Sequence, residues 1–328
     1  MTAGQNLETA TYAIGPEVSE VSAASAAPLP GGRLLPLLGI LESVADDRYQ
    51  ITETLSLGPQ SEVYRATDWR AESAAPVALK VFHEPDAAAT RRVGRAIQAH
   101  LSLDGKPGIV SLHDVGVLEK HDRSYRYLAF PFAEGGTLAD LIKRDPHNVD
   151  LILGMASQIL PALGSMHGED IVHRDIKPEN ILASDEDIFE LTDFDLVDLD
   201  RFRSMGGLTL QGERPPVDSA IEVPADRVSG TVGFIAPEAF GNDAPIGPEV
   251  DVFAMGVVLF QGITGRLPFA SSEIQEYYLS VTRESPVPPH ILNSMVPAVL
   301  EELTMESLRK DPHDRPRVDE LAARLQTV

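Results

Sequence analysis

The chain has 328 residues, 43% hydrophobic and 23% charged, an ordinary balance for a soluble globular protein with room for two lobes and a sizeable core. Asp and Glu number 50 against 27 Lys and Arg, and the formal charge of −23 argues against nucleic acid and against unaided binding to anionic membrane. Cysteine is absent, which excludes a disulfide framework, a cysteine-based zinc site and a thiol nucleophile.

Residues 1–47 differ in character from the rest of the chain. Positions 1–32 are rich in Ala, Ser, Thr, Gly and Pro and are expected to be disordered. Positions 33–44 carry Leu34, Leu35, Leu37, Leu38, Ile40 and Leu41, a run too short to cross a bilayer and too apolar to stay exposed. Docking on the chain's own first sheet, or on a partner, is expected for it. The N-terminus lacks the charged start and apolar run of a secretory signal. No stretch reaches the roughly 18 consecutive apolar residues of a membrane span. The longest candidate, 252–263, is broken by Gly256, Gln261 and Gly262 and reads as a buried helix. A cytosolic location is expected.

From Tyr49 the pattern turns to β. Residues 49–55 alternate and carry β-branched side chains, 63–66 do likewise, and a turn containing Gly58 separates them. Val77-Ala78-Leu79-Lys80 is a further strand ending on a cation. Asp86 is placed to cap a helix over 87–103, a stretch without Asp or Glu. Residues 109–112 and 125–130 read as strands, Thr137 caps a helix over 138–143, and apolar spacing predicts another over 149–167 with a kink at Pro161.

The chemistry concentrates in residues 171–182. Apolar pairs, Ile171-Val172 and Ile181-Leu182, flank His173-Arg174-Asp175-Ile176-Lys177-Pro178-Glu179-Asn180. Two short strands would hold that polar loop at a cleft. Asp175 can accept a proton from a hydroxyl nucleophile, Lys177 can neutralise phosphate charge, and Asn180 offers a hard oxygen to Mg²⁺. A second acidic strand end, Glu190-Leu191-Thr192-Asp193-Phe194-Asp195, comes shortly after.

The order H-R-D-x-x-x-x-N resembles the catalytic loop of eukaryotic-type (Hanks-type) protein kinases, and Lys177 two residues after the aspartate resembles the serine/threonine branch. Everything after about residue 47 can be laid against that family. The resemblance implies an α+β bilobal fold, with a mainly β N-lobe and hinge over 48–133 and a mainly α C-lobe over 134–328. It implies ATP and Mg²⁺ (or Mn²⁺) as cofactors, and protein substrates or a regulatory protein as partners. Composition and the want of extra eukaryotic domains hint at a bacterial member.

By this likeness Lys80 anchors the α/β-phosphates, while Val63, Ala78 and Leu182 enclose the adenine. Phe130 guards the back of the pocket, the Pro131 carbonyl and the Ala133 N–H meet the adenine edge, and Asp193 with Asn180 holds the metal. Asp251 would brace the catalytic loop, Arg315 would pair with Glu238 of Ala236-Pro237-Glu238, and Thr231 would touch Asp175 and Lys177. Arg174 would face a phosphorylated residue of the long segment before Ala236, with Ser204, Thr209, Ser219 and Ser229 as candidates.

Three departures stand out. The phosphate-covering loop, Ser56-Leu57-Gly58-Pro59-Gln60-Ser61-Glu62-Val63, keeps Gly58 but has Ser56 and Ser61 for the outer glycines. The first helix lacks the glutamate that pairs with the lysine, with Ile97 or Gln98 near its place. The glycine of D-F-G is Asp195, free to recruit a cation, hold another group or repel nucleotide. Transfer of the ATP γ-phosphoryl group to protein Ser/Thr hydroxyls, including the chain's own activation segment, is the leading expectation. The alternative is a pseudokinase serving as a nucleotide-binding or interaction module. A small-molecule phosphotransferase fits less well, because Thr231 and Glu238 are protein-kinase features.

Overall fold

The computed structural model describes residues 36–71, 74–84, 86–185, 188–199, 231–240, 246–269, 271 and 273–326. The proposed phosphosites at 204, 209, 219 and 229, and the apolar residues 34 and 35, lie outside these.

The first part is one antiparallel sheet. Strands β1 (Ser43–Val44), β2 (Tyr49–Leu57), β3 (Ser61–Asp68), β4 (Ala75–Phe82), β5 (Asp114–Lys120) and β6 (Arg123–Pro131) stand in the order β1-β2-β3-β4-β6-β5. Alternation decides the faces. In β3 every second residue is buried, and Tyr64 and Ala66 join Tyr49, Ile51, Val77, Leu79, Val81, Tyr127 and Ala129 in one core. The other face of β4 carries Ala78, Lys80 and Phe82. Helix α1 (Ala87–Leu103), capped by the Asp86 carboxylate on the N–H groups of Ala88 and Ala89, covers that side through Val93 and Ile97. The strand expected over 109–112 is not one. Ile109 makes an isolated parallel bridge to Leu191, and pairing resumes only at Asp114.

The apolar N-terminal segment docks on the sheet's outer core. Leu38 is fully buried there, its N–H donates to the Tyr64 hydroxyl at 3.1 Å, and the Leu37 N–H donates to Glu62 Oε2 at 2.8 Å. Burial pushes the Glu62 carboxyl up, but bonds from His83, Tyr64 and Leu37 outweigh it and hold the group below its ordinary range. Ile40 and Leu41 stay exposed.

The second part is mainly helical: α2 (Leu138–Arg144), α3 (Val149–His167), α4 (Glu249–Thr264), α5 (Ile274–Arg283), α6 (Pro289–Leu292), α7 (Ala298–Ser307) and α8 (Val318–Leu325). Short strand pairs β7 (Ile171–Val172) with β10 (Asp198–Leu199), and β8 (Ile181–Asp185) with β9 (Ile188–Leu191), lie between α3 and α4 in the chain. Helix α4 is apolar nearly all round and is buried from Val250 to Phe260, which makes it the centre of this part. Helix α3 runs continuously through Pro161. By length and composition it is also apolar enough to cross a membrane, but eight of its residues are buried in the core.

Leu38→Ala should cost about 2–5 kcal/mol, because Leu38 is fully buried in one core with Tyr49 and Tyr64. Deleting residues 1–44 should lower the denaturation midpoint similarly. An unchanged midpoint in both would show that the segment is no part of the cooperative unit.

Candidate active site

Backbone geometry builds the site first. The apolar pair of β7 enters it, and Arg174 then takes a left-handed turn at φ 70°, which a β-carbon makes costly. The fully buried Asp251 of α4 holds that turn. Its two carboxylate oxygens accept the N–H groups of His173 and Arg174, each at 2.8 Å, and His167 Nε2 lies 2.9 Å away. Burial alone would push the Asp251 carboxyl up; the His167 bond and the nearby His173 and Arg174 groups bring it below its ordinary value.

Asp175 emerges from this turn. Its Oδ2 accepts from Lys177 Nζ at 2.7 Å and from Asn180 Nδ2 at 3.1 Å, and its Oδ1 accepts from the Thr231 hydroxyl at 3.0 Å. Lys177 Nζ also donates to Thr231 Oγ1 at 2.8 Å, so Asp175, Lys177 and Thr231 form a closed triangle. A cavity of about 110 Å³ opens beside them, lined by Asp175, Thr231, Phe234 and Ile246 among others. Asn180 commits its amide nitrogen to Asp175, at the carbonyl (2.8 Å) and the carboxylate. Its side-chain carbonyl oxygen is the atom left for a cation.

The second loop is tied to the first. The Thr192 N–H donates to the Asn180 carbonyl at 3.0 Å, and the Thr192 carbonyl faces His173 Nε2 at 3.0 Å. Asp193 comes next at φ 69°, again left-handed. These ties put the Asp193 carboxylate and the Asn180 amide on adjoining loops. A carboxylate and an amide oxygen are the hard donors that Mg²⁺ or Mn²⁺ takes, so the residues fit such a cation.

Lys80 reaches these carboxylates from β4. Its Nζ lies 2.7 Å from Asp193 Oδ1 and 2.7 Å from Asp195 Oδ2, with only 10% of the side chain exposed. Burial opposes the lysine's charge, but Asp193 and Asp195 raise it above its ordinary value. Burial likewise opposes the charge on Asp193, and Lys80 overrides it and brings that carboxyl down. Asp195 goes the other way: burial and the neighbouring Asp193 charge push it up to about 6.

The pairing of Asp195 with Lys80 is one the sequence did not disclose. Gln98 is exposed and takes no part. Helix α1 faces inward through Ala89, Val93, Ala96, Ala99, His100 and Leu103, so it presents no carboxylate. Glu84 is engaged by both Nε and Nη2 of Arg126. His100 was also missed. Its ring packs on Phe194 and Phe130, with centroids 4.3 and 4.8 Å away, and burial, helped by Lys80's charge, pushes it down to about 3. A histidine on the apolar stripe of a helix was the available signal.

The residues assigned to the adenine fall around one apolar cluster. Ala78, Phe130 and Leu182 pack with Val93, Val110 and Leu128, and Val63 stands opposite Lys80 in the β3–β4 register. Leu182 is set by a close crossing at Gly135, where an added β-carbon would lie 2.5 Å from the Ala183 carbonyl. Gly136, at φ 81°, then accepts the Ala183 N–H at 2.9 Å. Pro131 ends β6 opposite Val77, and the Ala133 N–H beyond it meets no acceptor among the described residues. Gly58 and Ser61 form a tight turn, the Gly58 N–H donating to the Ser61 carbonyl at 3.0 Å.

Comparison with known proteins gives the family. The family described as "Protein kinase domain" matches residues 49–324. The chain belongs to the protein kinase family. It is similar to a "Probable serine/threonine-protein kinase" of Clostridium acetobutylicum, with 29% identity over 84% of this chain and 39% of that protein. Serine/threonine-protein kinase PknB of Mycobacterium tuberculosis is 28% identical over 82% of this chain and 41% of its own length. PknL of the same species is 30% identical over 84% and 64%. The chain thus spans about two fifths of the length of the first two of these relatives. In the kinase frame, Arg315 is the structural arginine of the late loop: Nη2 lies 2.8 Å from Glu238 Oε2 and Nε 2.8 Å from the Arg309 carbonyl.

Asp251→Ala should leave the His173 and Arg174 N–H groups buried without an acceptor, at about 1–3 kcal/mol each. Thermal unfolding followed by circular dichroism should show a clearly lowered midpoint. A midpoint equal to wild type would mean that the left-handed turn is held by something else.

Proposed function

We propose that this chain is a serine/threonine protein kinase that transfers the γ-phosphoryl group of ATP to protein Ser or Thr hydroxyls. The observation that carries the proposal is the closed arrangement of Asp175, Lys177, Asn180 and Thr231 next to Asp193 and Lys80. Catalysis of this class is mostly positioning and charge stabilisation, and each part has a residue here.

Asp175 is the acceptor for the substrate hydroxyl's proton, held in place by three donors. Lys177 offsets charge that develops on the transferred group, and Lys80 does so on the phosphates left behind. Asn180 and Asp193 would hold a divalent cation, which supplies charge neutralisation between the phosphates when bound. Ala78, Val63 and Leu182 would enclose the base, with Phe130 behind it, and the Ala133 N–H is the donor toward its edge. The loop from Ser56 to Ser61 would offer two serine hydroxyls toward phosphate, its Gly58 N–H being committed to the Ser61 carbonyl. The pseudokinase reading draws on the missing helix glutamate, the two lost glycines and Asp195, and Asp195 itself stands on the lysine that glutamate would have served.

The test is incorporation of labelled phosphate from ATP with Mg²⁺ or Mn²⁺, by the chain alone and with a basic acceptor protein. Wild type should incorporate label, and chain expressed in bacteria should carry extra mass in steps of about 80 Da. Asp175→Asn and Asp193→Ala should each lose about 10²–10⁴-fold in rate. Absence of label, with nucleotide still raising the melting temperature, would overturn transfer and leave a nucleotide-binding module.

A further inference from the structure

The anchoring lysine of a nucleotide site is a buried cation. A buried ammonium left without a partner is strongly destabilising, and the partner's position decides where the amine points. In this chain the nearby helix has no carboxylate to offer. The face that α1 turns inward is alanine, valine, leucine and one neutral histidine, and that histidine is packed against Phe194 and Phe130. The flanking acids are committed elsewhere, Glu84 to Arg126 and Glu62 to Tyr64, His83 and the Leu37 N–H.

What Lys80 does meet is one loop, twice. Asp193 and Asp195 stand two residues apart and both touch its Nζ at 2.7 Å. These two carboxylates are not equivalent in use. Asp193 is the residue whose oxygens suit a divalent cation, together with Asn180. A carboxylate shared with a cation neutralises a lysine less completely. Asp195 leaves Lys80 paired whatever Asp193 is doing.

We propose that Asp195 is a positioning residue, the resident counter-charge of Lys80 in place of a helix carboxylate, so that the loop carrying Asp193 rather than the setting of helix α1 aims the lysine. The geometry has a regulatory corollary. A swing of α1 away from the sheet would disturb the contacts of Val93, Ile97 and His100, but would not break the pairing of Lys80. The pair itself is independent of the kinase reading; its service to nucleotide rests on that reading.

Two measurements on the full chain test this. The first needs no nucleotide: melting temperatures of wild type, Lys80→Met, Asp195→Asn and the double variant. Without the lysine, Asp193 and Asp195 face each other unscreened, so Asp195→Asn should lower the melting temperature of wild type but raise that of Lys80→Met, the two shifts differing by several degrees. An equal shift in both backgrounds overturns the proposal.

The second is calorimetric titration of ADP with Mg²⁺. Asp195→Gly, which gives the loop the family's residue, should weaken ADP about tenfold, with Ala96→Glu restoring most of the affinity in the double variant. Ala96 is the choice because it lies one helical turn before His100 on the inward face. If Asp195→Gly binds ADP as tightly as wild type, the proposal fails. If affinity falls and Ala96→Glu leaves it low in a chain that melts as wild type does, Asp195 belongs to the cation and the proposal fails again. Wild type that takes up no ADP yet keeps the non-additive melting shift would overturn the kinase reading and leave the ion pair standing.

Discussion

A lysine ammonium with 10% of its side chain exposed, on the inner face of a sheet, is the constraint around which this molecule is arranged. It cannot be buried alone, and within the described residues its carboxylate partners come from the loop after β9. That ion pair therefore joins the sheet to the helical part at one point, across 113 residues of sequence. The lysine end of the pair lies over the Phe82 ring and is kept from water, while the Asp193 side chain stays 34% exposed at the other end.

The two loops that carry the polar groups are strained in the same way. Arg174 and Asp193 are both left-handed without being glycine, and each is held by bonds from its surroundings rather than by its own preference. Asp251 supplies two acceptors at the first; the Asn180 carbonyl and His173 fix Thr192 just before the second. The strain is thus borne by the buried part of the fold. Asp175 and Asp193 project from backbone with few alternatives, which is what a reaction governed by positioning requires.

Much of this was legible because it is local. Residues 171–182 hold an acid, a lysine and an amide within one short loop, so their meeting does not depend on distant packing. The strands of the sheet showed in their alternation, and Leu38 showed as an apolar residue in a polar tail. Gln98, near the place of the missing glutamate, is turned away by helical phase. Two residues separate it from Ala96, and at 3.6 residues per turn that carries a side chain to the opposite face. Residues 109–112 were apolar enough for a strand, but Ile109 and Val110 meet the backbone of β9 as single contacts and not as a ladder. The partner of Asp195 was illegible for a different reason. Its side-chain direction depends on the left-handed turn at Asp193, and nothing in the string of residues states that angle.

The charge of the cluster bears on how nucleotide and cation bind together. Asp175, Asp193 and Asp195 bring three carboxylates to two ammonium groups, Lys80 and Lys177, and each ammonium touches at least one of them. With all of these ionised, the site carries one negative charge in excess, in a chain already at −23. An anionic nucleotide alone would meet carboxylates as well as lysines there. A divalent cation reverses that sign locally, so nucleotide and cation are each more favourable in the other's presence. An extra carboxylate beside the metal-binding position is therefore not simply a repulsive burden. It neutralises the lysine in the resting chain, and it deepens the dependence of nucleotide binding on the cation.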